Sequence, residues 1–192
     1  PALMEHLNTV EIAPCGPAMA AFRMPVQWVN RPHADFRGLC GTVAQGIVRP
    51  GDPVRIMPSG VQTRVRSIVV WQGERDSAEP GDAITLTLAD EVDAGRGDMV
   101  TAEDALPEVA DQFEARLLWL GDQPLLPGRA YLCKLHTREL LATVTSIKYR
   151  EDVDTGAHLA ARTLSTNGIA VVSLSLSQPA VFEPYAANQT LG

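Results

Sequence analysis

The 192-residue sequence predicts an all-β fold divided between two consecutive domains, and three observations support that prediction. Apolar and polar residues alternate with period two over several short segments, as they do in strands that bury one face. Fourteen prolines and fifteen glycines interrupt the chain at a spacing that long helices do not tolerate. Gly-Asp pairs, which suit tight turns between strands, occur four times. Many short strands with regular turns are typical of a sandwich or a closed barrel.

The opening segment, residues 1–21, differs from the rest of the chain. Leu3, Met4 and Leu7 have helical spacing, and nothing that resembles a strand begins before Phe22. We therefore predict that this segment is the end of a helix from an upstream domain, followed by a proline-containing linker.

The first β domain is predicted over residues 22–104. One alternating face begins at Phe22 and includes Met24, Val26 and Trp28. Ser59-Gly60 lies between two strand-like runs and predicts a hairpin turn. The side chains expected to fill the core of this domain are Val43, Val54, Ile56, Val65, Ile68, Ile84, Leu86 and Leu88.

An acidic stretch that is poor in apolar residues marks the domain boundary, and we assign residues 105–111 to a linker. The second β domain is predicted over residues 112–192. Its expected core side chains are Leu117, Trp119, Leu132, Val144, Ile147, Val172 and Leu174. Almost no helix is expected after residue 12, because the breakers continue throughout.

Charge is unevenly distributed along the chain. The formal net charge is −7, which argues against a general nucleic-acid binder. Residues 22–75 nevertheless hold eight arginines against three acidic side chains, a balance of +5. This excess is either an ordinary solvated barrel surface or a docking face for an anionic ligand or an acidic partner.

Motifs for catalysis and cofactor binding are missing from the sequence. There is no phosphate-binding P-loop, no dinucleotide-binding glycine motif and no serine nucleophile elbow. Cys15, Cys40 and Cys133 are far apart, which predicts no disulfide framework or zinc site and favours a reducing, cytoplasmic compartment. The acidic run 90–93 is interpreted as a solvated loop. We therefore expect no catalytic, cofactor-binding or metal-binding residues, and no membrane partner, since no apolar run approaches ~20 residues.

The loop 30–38 carries the candidate site residues. It contains Arg31, Asp35, Phe36 and Arg37, and it is longer than the two to five residues that usually suffice for a hairpin. Long ordered loops on rigid barrels often bind partners, and arginine and aromatic side chains are enriched at interface hot spots. The alternative is structural: Phe36 caps the barrel mouth, and Asp35 pairs with Arg31 or Arg37.

Several segments are similar to known GTPases. Residues 41–54 resemble the start of the second-domain β-barrel of translation-type GTPases such as elongation factor Tu. Further blocks resemble the large, GTP-binding subunit of bacterial sulfate adenylyltransferase, which also occurs fused to adenylylsulfate kinase. These blocks are 22–32 with 35–38, 58–60 with 64–69, 81–93 with 96–98, 142–150, 152–156 and 182–185. At 164–169 the sequence departs from that family, whose members carry acidic residues there.

The resemblance implies two antiparallel β-barrels of the translation-GTPase domain II and III type. Residues 1–21 would be the end of the GTPase domain and its linker, and the second barrel would lack strands if the chain stops at Gly192. The function implied is that of a non-catalytic barrel region, inactive alone. It would couple GTP hydrolysis to the synthesis of adenylyl sulfate from ATP and sulfate.

The implied partners are the catalytic small subunit and the GTPase domain of the same parent chain, one of which the loop 30–38 would face. GTP and Mg²⁺ would bind that GTPase domain, and no nucleic acid is expected. The alternative is a domain II and III fragment of a translation elongation factor that binds aminoacyl-tRNA. The arginine-rich segment 22–75 would favour it, whereas the sulfate-specific blocks argue against it.

Overall fold

The computed structural model describes residues 2–10, 20–186, 188 and 191. The chain divides into two compact units: Pro1–Leu106 together with Tyr185–Gly192, and Pro107–Pro184. The tail from Tyr185 thus groups with the first unit, whereas the sequence placed it in a second domain over 112–192. Its described residues Asn188 and Leu191 are buried, which an alternation pattern cannot predict for an isolated tail.

A single helix, α1, spans Ala2–Thr9 within the described chain. Leu3, Met4 and Leu7 lie on it, as their spacing predicted, and all three are exposed. Most of the predicted linker, residues 11–19, lies outside the described residues. No helix in the described ranges is both long and apolar enough to cross a bilayer.

Seven strands build the described part of the first unit. They are β1 Arg23–Asn30, β2 Gly38–Thr42, β3 Pro53–Met57, β4 Val61–Val70, β5 Gly73–Arg75, β6 Ala83–Leu88 and β7 Met99–Ala102. All pairings are antiparallel, in the order β3-β7-β1-β2-β6-β4-β5. An additional β3–β4 pairing closes six strands into a barrel, and β5 extends β4 beyond the ring. The predicted first barrel is confirmed.

The core of this barrel matches the sequence prediction closely. Seven of the eight predicted side chains are buried, and Leu88 packs against them while partly exposed. Closure is what makes the pattern so regular, because every strand of a closed barrel alternates between the interior and solvent.

A β-bulge changes the face of Trp28. The β1–β2 register shifts between Val26 and Trp28, so one extra residue of β1 interrupts the alternation. Val26 is buried, whereas Trp28 is 65% exposed. The prediction that Trp28 shares a face with Met24 and Val26 is therefore wrong.

Three of the four Gly-Asp pairs form the same turn. In each, the glycine has a φ between +92° and +98°, a region that favours glycine. The aspartate Oδ2 accepts a hydrogen bond from the backbone N–H three residues earlier. The pairs are Asp52 with Arg49 at 2.8 Å, Asp82 with Glu79 at 2.9 Å and Asp98 with Gly95 at 2.9 Å.

The second unit is a five-stranded antiparallel sheet. Its strands are β8 Glu108–Leu118, β9 Ala130–Leu135, β10 Arg138–Glu151, β11 His158–Leu159 and β12 Ile169–Phe182. The order is β11-β10-β12-β8, and β9 also pairs with β10. No pairing among the described strands closes this sheet into a ring.

The core of the second unit confirms six of seven predicted positions. Val144 and Val172 are buried, and four more side chains pack against them: Leu117, Trp119, Ile147 and Leu174. Leu132 is the exception, with an exposure of 64%. In β9 the alternate side chains, those of Tyr131, Cys133 and Leu135, are the ones that pack against the cores of the unit. The predicted inward face of β9 was wrong by one residue.

Candidate functional site

The four candidate residues lie in the loop between β1 and β2, and the structure brings them together. Arg31, Asp35, Phe36 and Arg37 all line one groove of about 360 Å³ on the first unit. The remaining lining comes from Ala34, from Leu39 of β2, from Arg66 and Ser67 of β4, from Glu74 of β5, and from residues between the end of β6 and Val92. We call this the loop groove.

Phe36 belongs to the loop that precedes β2. It is half-buried, and its ring lies 6.0 Å from that of His33, centroid to centroid. A Cβ added at Gly38 would stand 2.9 Å from Phe36 Cε1 and 2.3 Å from Thr85 Cγ2. Glycine at 38 thus leaves room for the ring. Phe36 is not one of the side chains of the described barrel core, which disfavours the proposed role as a cap of the barrel mouth.

The two loop arginines hold the loop to the segment 91–94. Arg31 Nη2 lies 3.0 Å from Glu91 Oε1, an exposed ion pair worth at most about 1 kcal/mol. Arg37 Nη2 donates a hydrogen bond to the Ala94 carbonyl oxygen at 2.8 Å and lies 3.7 Å from Asp93 Oδ1. These contacts fix the position of the loop.

Asp35 does not pair as the structural alternative expected. Arg31 and Arg37, the two arginines that could have formed an ion pair with Asp35, contact the segment 91–94 instead. The Asp35 side chain is exposed, and no described residue forms a hydrogen bond or an ion pair with it. Its carboxylate is available to solvent or to a partner.

Of the remaining charged residues of the loop groove, two have a hydrogen-bond partner and one has none among the described residues. Arg66 Nη2 donates a hydrogen bond to the Ala89 carbonyl oxygen at 2.7 Å, and Asp90 Oδ2 accepts one from Thr63 Oγ1 at 2.8 Å. Glu74 is exposed, and its carboxylate has no partner in the described chain. Asp35 and Glu74 are therefore the two carboxylates of the groove that have neither a hydrogen-bond nor an ion-pair partner in the described chain.

The arginine excess of residues 22–75 is partly neutralised, because Arg31, Arg37 and Arg75 pair with carboxylates outside that stretch. Three arginines and four carboxylates line the loop groove. Outside the groove, Arg75 Nη1 lies 3.2 Å from Asp82 Oδ2. The acidic partners come from residues 82–93, beyond the stretch whose charge was counted. The groove itself therefore does not favour an anionic ligand.

Two cysteines lie in the described ranges, and neither belongs to a metal-binding cluster. No group of three or more His, Cys, Asp or Glu side chains in the described ranges could hold a metal ion. Cys40 lies with Sγ 3.3 Å from Thr85 Oγ1, and burial raises the pKa of the Cys133 thiol. Cys15 lies outside the described residues.

Sequence reasoning found the loop but missed its partners. The acidic side chains of the run 90–93 are exposed, as predicted for a solvated loop, but the sequence did not predict that Glu91 and Asp93 pair with Arg31 and Arg37. Opposite charge on the two segments was the available signal. Glu74 carried no signal, because only the closed barrel brings β5 to the groove.

One protein family matches the C-terminal part of the chain, and two known proteins match all of it. Residues 112–192 match the GTP-eEF1A C-terminal domain-like family. Over all 192 residues the chain is 48% identical to the bifunctional enzyme CysN/CysC of Xylella fastidiosa. It is 45% identical to sulfate adenylyltransferase subunit 1 of Laribacter hongkongensis over 193 aligned residues, again its whole length. It spans 31% and 40% of these two relatives.

A solved structure shows the same fold. A crystal structure of Sup35 complexed with GMPPNP matches 100% of this chain and 47% of its own, with a TM-score of 0.82. The sequence identity is 20%, so this likeness establishes the fold alone.

Proposed function

We propose that the chain forms the non-catalytic barrel region of a sulfate adenylyltransferase subunit 1. The observation that carries the proposal is the identity of 45–48% along the entire chain. Since the chain covers less than half of either relative, the activity of the whole protein is inferred from them. A fusion to adenylylsulfate kinase is compatible with the bifunctional relative.

The proposed role is coupling. Joining ATP and sulfate into adenylyl sulfate creates a high-energy phosphate–sulfate anhydride, so the reaction needs a second source of free energy. GTP hydrolysis would supply it on a GTPase domain outside this chain, where GTP and Mg²⁺ would bind. Coupling requires two states with different contacts, which the nucleotide biases.

The β-barrel suits the transmission of such a change. A closed ring of six strands around a buried core deforms little, so it moves as a rigid body. The loop of Arg31, Asp35, Phe36 and Arg37 is tied to the segment 91–94 and keeps its shape during such a movement. We propose that this loop faces the GTPase domain or the catalytic small subunit. A cytoplasmic location is proposed too, since the widely spaced cysteines suit a reducing compartment.

The test uses the parent subunit with the catalytic small subunit. Affinity between the subunits and GTP-stimulated adenylyl sulfate synthesis are measured for wild type, Arg31→Ala, Arg37→Ala and Asp35→Ala. Asp35→Ala is the sharpest of these variants, because Asp35 pairs with no described residue and its loss leaves the loop anchored. Both quantities are expected to fall. Wild-type values in all three folded variants would show that the loop is structural only.

The translation-factor alternative is tested by RNA binding at several salt concentrations. Neutralisation of phosphates by arginines would give binding that weakens steeply with salt. The proposed function predicts no such binding, because the arginines of the loop groove already have protein partners. Steep salt-dependent binding of an aminoacyl-tRNA would favour the translation factor instead.

A further inference from the structure

The hairpin of β4 and β5 presents an unusual side chain to solvent. Trp71 stands in its two-residue turn and is 98% exposed. Val70 pairs with Gly73, whose φ of +123° closes the turn and holds Trp71 at the tip. A tryptophan at such a position buries none of its large apolar surface within the described chain. Tryptophan is also enriched among the residues that dominate binding energy at protein interfaces.

The same hairpin contributes Glu74 to the loop groove, three residues after Trp71. The groove thus combines two unpaired carboxylates, Asp35 and Glu74, with the half-buried aromatic ring of Phe36. Its arginines are occupied by Glu91, by the Ala94 carbonyl oxygen and by the Ala89 carbonyl oxygen. The four carboxylates that line the groove outnumber its three arginines, so the charge complement of the groove is a cation.

We propose that the loop groove and the β4–β5 hairpin form one docking surface for a protein segment that places an arginine in the groove. The guanidinium pairs with Asp35 and Glu74 and contacts the Phe36 ring, and Trp71 enters an apolar pocket of the partner. Arginine fits better than lysine, because a planar guanidinium can donate hydrogen bonds to two carboxylates while its face stacks on an aromatic ring.

A protein partner would cover both the acidic groove and the exposed Trp71 side chain, whereas a small cation would occupy the groove only. The groove of about 360 Å³ lies near the lower end of the roughly 300–1,000 Å³ usual for ligand sites, which is room for a side chain and its flanking backbone. A small ligand in the groove would leave Trp71 exposed at the tip of the hairpin. One part of this inference depends on the proposed function: that the partner is a protein.

The charge preference of the groove is tested on this chain alone, without any other subunit. Backbone amide shifts are followed by NMR during titration with Nα-acetyl-arginine methylamide. The citrulline analogue, which is neutral and has the same shape, serves as the matched probe. We expect arginine to shift amides of residues 31–37, 74 and 87–92, with little effect of citrulline. Equal shifts by the two probes, or shifts elsewhere, would overturn the proposal.

Variants assign the effect to the two carboxylates. Asp35→Asn and Glu74→Gln should each weaken arginine binding by about two- to fivefold, the range for a partly exposed ion pair. Asp76→Asn is the matched control, since Asp76 is exposed and nearby in sequence but does not line the groove. An equal loss in Asp76→Asn would mean a general charge effect and contradict the assignment.

Trp71→Ala tests the docking of a protein. The substitution should leave the titration with the arginine probe unchanged, since the probe is too small to reach both features. In the parent subunit it should weaken association with the catalytic small subunit at least tenfold, measured by calorimetry. Undiminished association would overturn the docking surface. If the wild-type subunits fail to associate at all, the proposed function fails, while the arginine titration still decides the chemistry of the groove.

Discussion

Asn188 donates a side-chain hydrogen bond from Nδ2 to Oε1 of Gln45, although 143 residues separate the two in sequence. Both side chains are 4% exposed. Asn188 Oδ1 in turn accepts a hydrogen bond from the backbone N–H of Leu191 at 3.2 Å, and the Leu191 side chain is buried. The end of the chain is thereby attached to the first unit through a buried polar pair.

Asn188→Ala should destabilise the first unit. The substitution leaves the buried carbonyl of Gln45 without this donor, and an unsatisfied buried group costs about 1–3 kcal/mol. Chemical denaturation measures the change in the free energy of unfolding. Asn8→Ala is the matched control, because Asn8 is exposed on α1 and should change stability by less than about 0.5 kcal/mol. Equal stability of the two variants would show that the pair contributes nothing.

Two leucines of the second unit should lose very different amounts of stability on the same substitution. Leu164 is fully buried, and Leu164→Ala should cost about 2–5 kcal/mol through lost burial and the cavity left behind. Leu132 is exposed, so Leu132→Ala should cost less than about 0.5 kcal/mol. Thermal unfolding of both variants measures the difference. A larger loss for Leu132→Ala would restore the original prediction that this residue lies in the core.

These two leucines show where sequence reasoning fails. Period two predicts that a strand exists, but an error of one residue in its phase exchanges the two faces, as happened at Leu132. Leu164 lies outside any regular alternation, and its burial follows from a bridge to Leu125 that the fold creates. Closed-barrel positions such as Ile56 and Leu86 were predictable, because both neighbours of each strand impose the same alternation.

The candidate site shows the same limit at longer range. Arg31 and Arg37 were identifiable from residue type and loop length alone. Their partners near Ala94 lie more than fifty residues away in sequence, and only the tertiary fold brings them together. The exposure of Trp71 depends on where the β4–β5 turn ends, which residue type does not reveal.

Asp82 should make stability depend on pH. The backbone N–H of Glu79 and then the guanidinium of Arg75 hold the pKa of the Asp82 carboxyl below its ordinary value of 3.8. A depressed folded-state pKa contributes stability above the unfolded value, and this is lost as the pH falls through the folded pKa. The unfolding midpoint of wild type should therefore exceed that of Asp82→Asn at pH 6, and the difference should shrink below pH of about 3.8. A difference that stays constant from pH 6 to pH 2 would contradict the assignment. Asp76→Asn, at an exposed carboxylate without a described partner, should show no such trend.

Gly38→Ala should disturb the loop groove through Phe36. The new Cβ would stand 2.3 Å from Thr85 Cγ2 and 2.9 Å from Phe36 Cε1, closer than side chains tolerate. Overpacking of this kind costs about 1–3 kcal/mol, and the ring must move to relieve it. Gly95→Ala is the matched control: no atom lies within 4 Å of its added Cβ, and its φ is outside the left-handed region.

Thr85→Ser removes the nearer of the two clashing atoms, so the double variant should recover part of the lost stability. Denaturation of wild type, Gly38→Ala, Thr85→Ser and the double variant gives the coupling free energy between positions 38 and 85. Strict additivity of the two substitutions would show that the close approach of Gly38 to Thr85 does not limit the site.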